Sequence, residues 1–141
     1  HKEYRRQRQM CIRDSNRTEN VSIANSTSTW NEPASTYAST YPKNHVMETE
    51  SGHIREYDDT PDAERIHEYH KSGTFYEIDK NGNKITRVVQ DNYEIIAGSN
   101  FVNVKGSANL TVTGDLNLKA KNINLEAEGN VKVVGTRIDL N

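Results

Sequence analysis

From Phe101 to the end of the chain, apolar residues come in pairs set around one other residue. The pairs are Val102/Val104, Leu110/Val112, Leu116/Leu118, Ile123/Leu125, Val131/Val133 and Ile138/Leu140. Counted from Val102, successive pairs start 8, 6, 7, 8 and 7 residues apart, with Gly106, Gly114, Asn122, Gly129-Asn130 and Gly135 between them. Apolar residues at i and i+2 followed by a break predict short strands with one buried face. A helix would need them at i, i+3, i+4 and i+7, and no segment supplies that stripe. Self-similarity at so short a period marks a β-solenoid or an array of small strands over residues 101–141.

Upstream, residues 45–100 read as a β-rich neck with less regular spacing. His53-Ile-Arg-Glu-Tyr57 alternates, and Asp58-Asp-Thr-Pro-Asp62 turns; Arg65-Ile-His-Glu-Tyr69 alternates again, and Ser72-Gly73 turns. Thr74–Ile78 and Lys84–Val89 flank Asn81-Gly82, a strong short-range hairpin signal because both residues tolerate positive φ. Asn92–Ile96 and Gly98 follow. Gly82, Gly98, Gly106, Gly114, Gly129 and Gly135 are the turn glycines of this reading. Residues 16–44 lack any period and are rich in Asn, Ser, Thr, Ala and Pro, so they read as an extended linker. Trp30, Tyr37 and Tyr41 are spaced aromatics within it, which fits either a free linker or one docked on a neighbouring surface.

Composition sharpens this division. Leu, Ile, Val and Phe make up 27 of 141 residues, and only 6 of them lie in residues 1–73. The length suits one domain, but the first half cannot build a core of the size an independent enzyme needs. No apolar run approaches the ~20 residues of a membrane-spanning helix, and a single Cys excludes a disulfide scaffold. The net charge of −2 conceals a basic start: residues 1–15 carry +3 and the rest −5, which leaves no basic footprint for nucleic acid. Met10-Cys-Ile-Arg-Asp-Ser15 resembles one reading frame of a transposon adapter used in sequencing libraries. Residues 1–15 are therefore expected to be an artefact, with the natural N-terminus outside this sequence.

The short repeat cannot stand alone. A ribbon of three- to five-residue strands buries two apolar side chains per repeat, at about 2–3 kcal/mol each. Ordering seven residues costs about 1–2 kcal/mol per residue. Such a ribbon would also expose an apolar face and two open edges. Two arrangements resolve both problems: a single-chain solenoid, which usually needs longer coils to enclose a core, and several identical chains wrapped round one axis, three of which make a triangular prism with a dry interior. The short repeat favours the second, so the fold expected is all-β, a trimeric prism. The six pairs named above form its core, and Asn103, Thr111, Asn117, Asn124 and Lys132 point outward.

Several residues invite chemical readings. His53, His67 and His70 could suggest Zn or Fe, but no ligand spacing supports it, and exposed strand positions account for them. Asp58, Asp59, Asp62 and Glu64 could suggest paired carboxylates or a Ca²⁺ site, but an acidic, Pro-containing turn explains them better. There is no nucleophile elbow and no phosphate-cradling loop. The four Asn-x-Ser/Thr matches fall in an Asn/Thr-rich chain and carry no weight. No catalytic residue, metal or cofactor is expected.

Glu48-Thr-Glu-Ser-Gly-His53, Glu56-Tyr-Asp-Asp-Thr-Pro61, Glu64-Arg65, His70-Lys-Ser-Gly-Thr-Phe-Tyr-Glu-Ile78 and Gly82-Asn-Lys resemble the baseplate central-spike proteins of contractile-tailed bacteriophages. The likeness covers about residues 30–141. Val104-Lys-Gly106 and Val112-Thr-Gly114 resemble that family's Val-x-Gly octad, an architecture shared by type VI secretion spikes. The resemblance implies a short-repeat, intertwined, triple-stranded β-helix, a homotrimeric needle of the virion, assembled in the host cytoplasm. It implies contacts with baseplate hub and tail-tube proteins and with a spike-tip protein at the C-terminal end, and passage through the bacterial outer membrane on sheath contraction. Two departures stand out. Asp62 occupies a position where Gly is expected after Thr-Pro. The octads also decay after Val112, to Ala120 and Glu128 with Asn122 and Asn130 in the Gly slots, which suggests a shortened or tapering end. Some relatives carry an upstream peptidoglycan-cleaving domain, and no segment here matches one. The competing reading is a trimeric tail-fibre or adhesin stalk, which would lead into a recognition knob rather than finish within the repeat at Ile138-Asp-Leu-Asn141.

Overall fold

The computed structural model describes residues 19–141, so the adapter-like segment 1–15 lies outside the described residues. The described residues contain seven strands and no helix: β1 (Asn20–Ser22), β2 (Thr29–Asn31), β3 (Asn44–Glu48), β4 (Ile54–Asp58), β5 (Arg65–Tyr69), β6 (Phe75–Ile78) and β7 (Lys84–Arg87). β1 and β2 pair as a small antiparallel hairpin, and β3 to β7 form an antiparallel meander in sequence order.

One construction joins three of the four meander turns. In each, a Gly amide three residues on donates to the carbonyl of the residue that closes the preceding strand: Gly52 to Thr49, Gly73 to His70, Gly82 to Asp79. All three glycines have positive φ (100°, 104° and 84°), which lets the chain reverse within three residues. Asp79 secures the last turn further by accepting the Asn81 and Asn83 amides on its carboxylate, each at 2.9 Å. The fourth turn uses Thr60-Pro61-Asp62-Ala63, where Ala63 N donates to Thr60 O and Asp62 takes φ 62°. Pro presets the first central position, and the second demands positive φ. That demand is the physical reason a Gly is expected where Asp62 stands.

Register places alternate residues of the meander on one face: Val46, Glu56, His67, Glu77 and Ile85 form one cross-strand row. This face is buried and strongly polar. Glu56, Asp58, Arg65, His67 and Glu77 are all under 4% exposed, whereas the buried apolar residues are only Ile54, Ala63, Phe75 and Ile85.

What covers that face is residues 32–40. Along this strap, alternate residues meet successive strands. Glu32 pairs with Arg87 of β7 at 2.9 Å, and Ser35 donates to Glu77 of β6. The Tyr37 ring lies 4.7 Å from the Arg65 guanidinium of β5, and Ser39 donates to Asp58 of β4. Thr40 N also donates to Thr60 Oγ1 at 2.9 Å. The segment read as linker thus contains β1 and β2 and, of the three spaced aromatics, docks Tyr37 on the neck, while Tyr41 remains 59% exposed.

After β7 the character changes. Every residue from Val88 to Asn141 is exposed, and none is paired into a strand. Among the described residues, the candidate strands Asn92–Ile96 and the six pairs beyond it pair with no other strand. The backbone nevertheless keeps time: it bends at Ala97-Gly98, Lys105-Gly106, Thr113-Gly114, Lys121, Glu128-Gly129 and Thr136. Past Val112, where the Val-x-Gly signature fades, the bends continue at intervals of seven to eight residues.

Candidate functional site

Two features could carry function: the uncovered repeat and the buried charge cluster of the neck. The repeat is the larger. Of the expected core residues, Val102 is 77% exposed, Val104 51%, Leu110 70% and Val112 43%. Leu116, Leu118, Ile123, Leu125, Val131, Val133, Ile138 and Leu140 are likewise exposed. Large apolar side chains scattered singly on a surface are ordinary, but a series recurring in step with backbone bends is a candidate interaction surface. Polar groups occupy the positions between: Arg137 Nε, for example, meets Asp139 at 2.8 Å.

The cluster is built by the register of β4, β5 and β6. Arg65 is its centre, with Nη2 on Glu56, Nε 2.7 Å from Glu77 and Nη1 3.9 Å from Asp58. Asn44 Nδ2 donates to the other Glu56 oxygen at 3.3 Å. His67 Nδ1 lies 3.5 Å from Glu77, and its ring packs against Phe75 at 5.5 Å. Three carboxylates around one guanidinium leave an excess of negative charge in a dry place. Burial pushes the Glu56 carboxyl above its usual range, Asp58 adds to the rise, and Arg65 and Asn44 oppose it.

The histidines considered as ligands do not converge. His53 and His70 lie side by side with ring centroids 4.6 Å apart, while His67 sits within the charge cluster. His53 Nδ1 accepts the Lys71 amide at 3.2 Å, and His70 Nδ1 accepts the Ser72 amide at 3.1 Å. A backbone N–H can only donate, so in both rings these contacts engage the Nδ1 lone pair. No group of three or more His, Cys, Asp or Glu suited to a metal occurs among the described residues. Of the acidic turn, Asp59, Asp62 and Glu64 are exposed, but Asp58 belongs to the buried cluster rather than to the solvated turn. The exposed strand position assigned to His67 is also corrected: it is 1% exposed, because Ile54, Glu56 and Asp58, rather than Arg55 and Tyr57, face the covered side.

No protein-family model matches the chain. The chain is similar to the protein Gp5 of Vibrio phage KVP40, 49% identical over 86 residues, which cover 61% of this chain and 20% of that protein. It is also similar to the pre-baseplate central spike protein Gp5 of Enterobacteria phage T4, 43% identical over 84 residues, covering 54% of this chain and 15% of that one. The similarity thus spans a fifth or less of the length of these curated relatives.

Proposed function

We propose that the chain is the neck and needle of a trimeric, cell-puncturing spike in a phage tail baseplate. The observation that carries this reading is the exposed apolar series of residues 102–140, repeating in step with bends about eight residues apart. Three copies around one axis bring these faces together and pair each open edge with a neighbour, as a triple-stranded β-helix requires. The named role of the T4 relative, a baseplate central spike, supports the same reading.

In this role the needle does mechanical work only. A prism whose strands are hydrogen-bonded between chains resists bending and compression, and polar outer positions keep it wettable. Sheath contraction drives it into the bacterial outer membrane. Its upstream end joins hub and tail-tube proteins, its downstream end takes a tip protein, and the spike is built into the virion in the host cytoplasm. No residue is assigned a catalytic or metal-binding task.

Sedimentation equilibrium of the full chain tests this. The expected species is three times 16.0 kDa, about 48 kDa, persisting at micromolar concentration. A folded monomer whose residues 101–141 are protected from hydrogen exchange would overturn the proposal.

A further inference from the structure

The strap over the neck has an unusual sequence: Ala34-Ser35-Thr36-Tyr37 is followed at once by Ala38-Ser39-Thr40-Tyr41. It lies across the meander, but its backbone joins none of the meander's strand ladders. It is held by side-chain bonds such as Ser39 to Asp58, by single amide contacts such as Lys80 N to Thr36 Oγ1 at 3.4 Å, and by one aromatic ring, Tyr37. No aliphatic anchor larger than Ala or Pro lies within residues 33–42.

Its underside matters as much as its contacts. A strap that covers apolar surface is expensive to lift, because lifting it wets hydrocarbon. This one covers Glu56, Asp58, Arg65 and Glu77, and water solvates charged groups better than a protein interior does. Lifting it therefore returns solvation to the cluster while the β4–β5–β6 ladder and the Arg65 ion pairs stay in place. The upward push on Glu56 reports that same solvation cost in the docked state.

We propose that residues 33–42 are a two-position strap that sets where the upstream polypeptide leaves the neck. Docked, the upstream chain departs beside β7, at the Glu32–Arg87 pair. Lifted, it departs beside β3, on the opposite edge of the sheet. The exit point moves by four strand spacings, about 19 Å. The tether gains ten residues, up to about 33 Å of reach. Whatever precedes the neck is held against it in one state and loosely leashed in the other. The proposal stands on contacts within one chain and holds whether or not the repeat assembles into trimers.

Hydrogen exchange resolved by residue, on the full chain, tests it. Tyr41 is the control, since it holds the same place in the four-residue repeat and is exposed. In the parent, amides of residues 34–40 should exchange at least about 10-fold faster than those of β4 to β6. Tyr37→Ala should speed the strap roughly another 10-fold and leave β4 to β6 unchanged, and Tyr41→Ala should change neither. Ser39→Ala should act as Tyr37→Ala does, more weakly. Strap and sheet exchanging in one cooperative step, equal effects at Tyr37 and Tyr41, or loss of the folded sheet in both Tyr37→Ala and Ser39→Ala would each overturn the proposal.

Discussion

Replacing Arg65 by Met removes the one guanidinium shared by Glu56, Glu77 and Asp58 while keeping a side chain of similar reach. Arg65 is 3% exposed, and Glu56 and Glu77 are 0% exposed, so while residues 33–42 stay docked water cannot take over its role. Breaking a buried ion pair by removing one partner costs about 3–5 kcal/mol, because the remaining charge stays buried without compensation. With three carboxylates at the site, a loss of about 4 kcal/mol at pH 7 is expected, a large share of the 5–15 kcal/mol typical of whole domains. The pH dependence gives an independent check. Glu56 already sits above its ordinary pKa through burial, and losing Arg65, which opposes that rise, must push it higher. A carboxyl raised in the folded state favours folding on the acid side, and that stability is lost as pH rises through its folded pKa. The deficit of Arg65→Met relative to the parent should therefore shrink between pH 7 and pH 5. Adding Glu56→Gln should recover at least about 1 kcal/mol at pH 7, since it removes one of the orphaned charges. Urea melts at fixed protein concentration, followed by circular dichroism, measure all three. A loss below 1 kcal/mol at pH 7, or a deficit that grows on acidification, refutes the account of the cluster.

In the needle, Leu118→Asp should lower the melting temperature sharply at neutral pH, because three symmetry-related carboxylates would meet near one axis, at several kcal/mol each. Asn117→Asp, with the same charge on the solvated face, should have little effect; equal damage from both would shift the register by one residue. At the neck turn, Asp62→Gly should change stability by less than about 1 kcal/mol, since relief of φ 62° is offset by unfolded-chain entropy. Asp62→Val should cost about 1–3 kcal/mol, because a β-branched residue tolerates positive φ poorly. Both are read from urea midpoints, and an innocuous Val would show that the turn relaxes.

Much of the neck could be read directly. β4 to β7 follow the alternation of Ile54, Arg65-to-Tyr69, Phe75 and Ile85, and their turns follow Gly73, Pro61 and Asn81-Gly82. Two things could not. The β1–β2 hairpin and the strap are rich in Asn, Ser, Thr and Ala, which give a period-of-two pattern little apolar contrast, and in β3 the alternation is masked because Asn44 is the buried end while Met47 is exposed. The charge cluster was hidden for a related reason: in Ile54-Arg-Glu-Tyr-Asp58 either alternate set could face inward, and tertiary cover by the strap selects the one carrying two carboxylates. In the repeat the apolar pairs are legible in the sequence, while the described residues of one chain leave them exposed, which is why their covering is a matter of proposal. The bends at Lys121, Glu128-Gly129 and Thr136 continue at seven to eight residues beyond the last Val-x-Gly.

The recurring bends would graduate the proposed needle like a ruler, in steps of seven to eight residues. Excising residues 107–114, or duplicating them, would move every later side chain by one complete step and leave inside and outside unchanged. Excising four would leave every later apolar pair half a step away from its bend. In the proposed needle, length would therefore change by whole steps rather than by single residues.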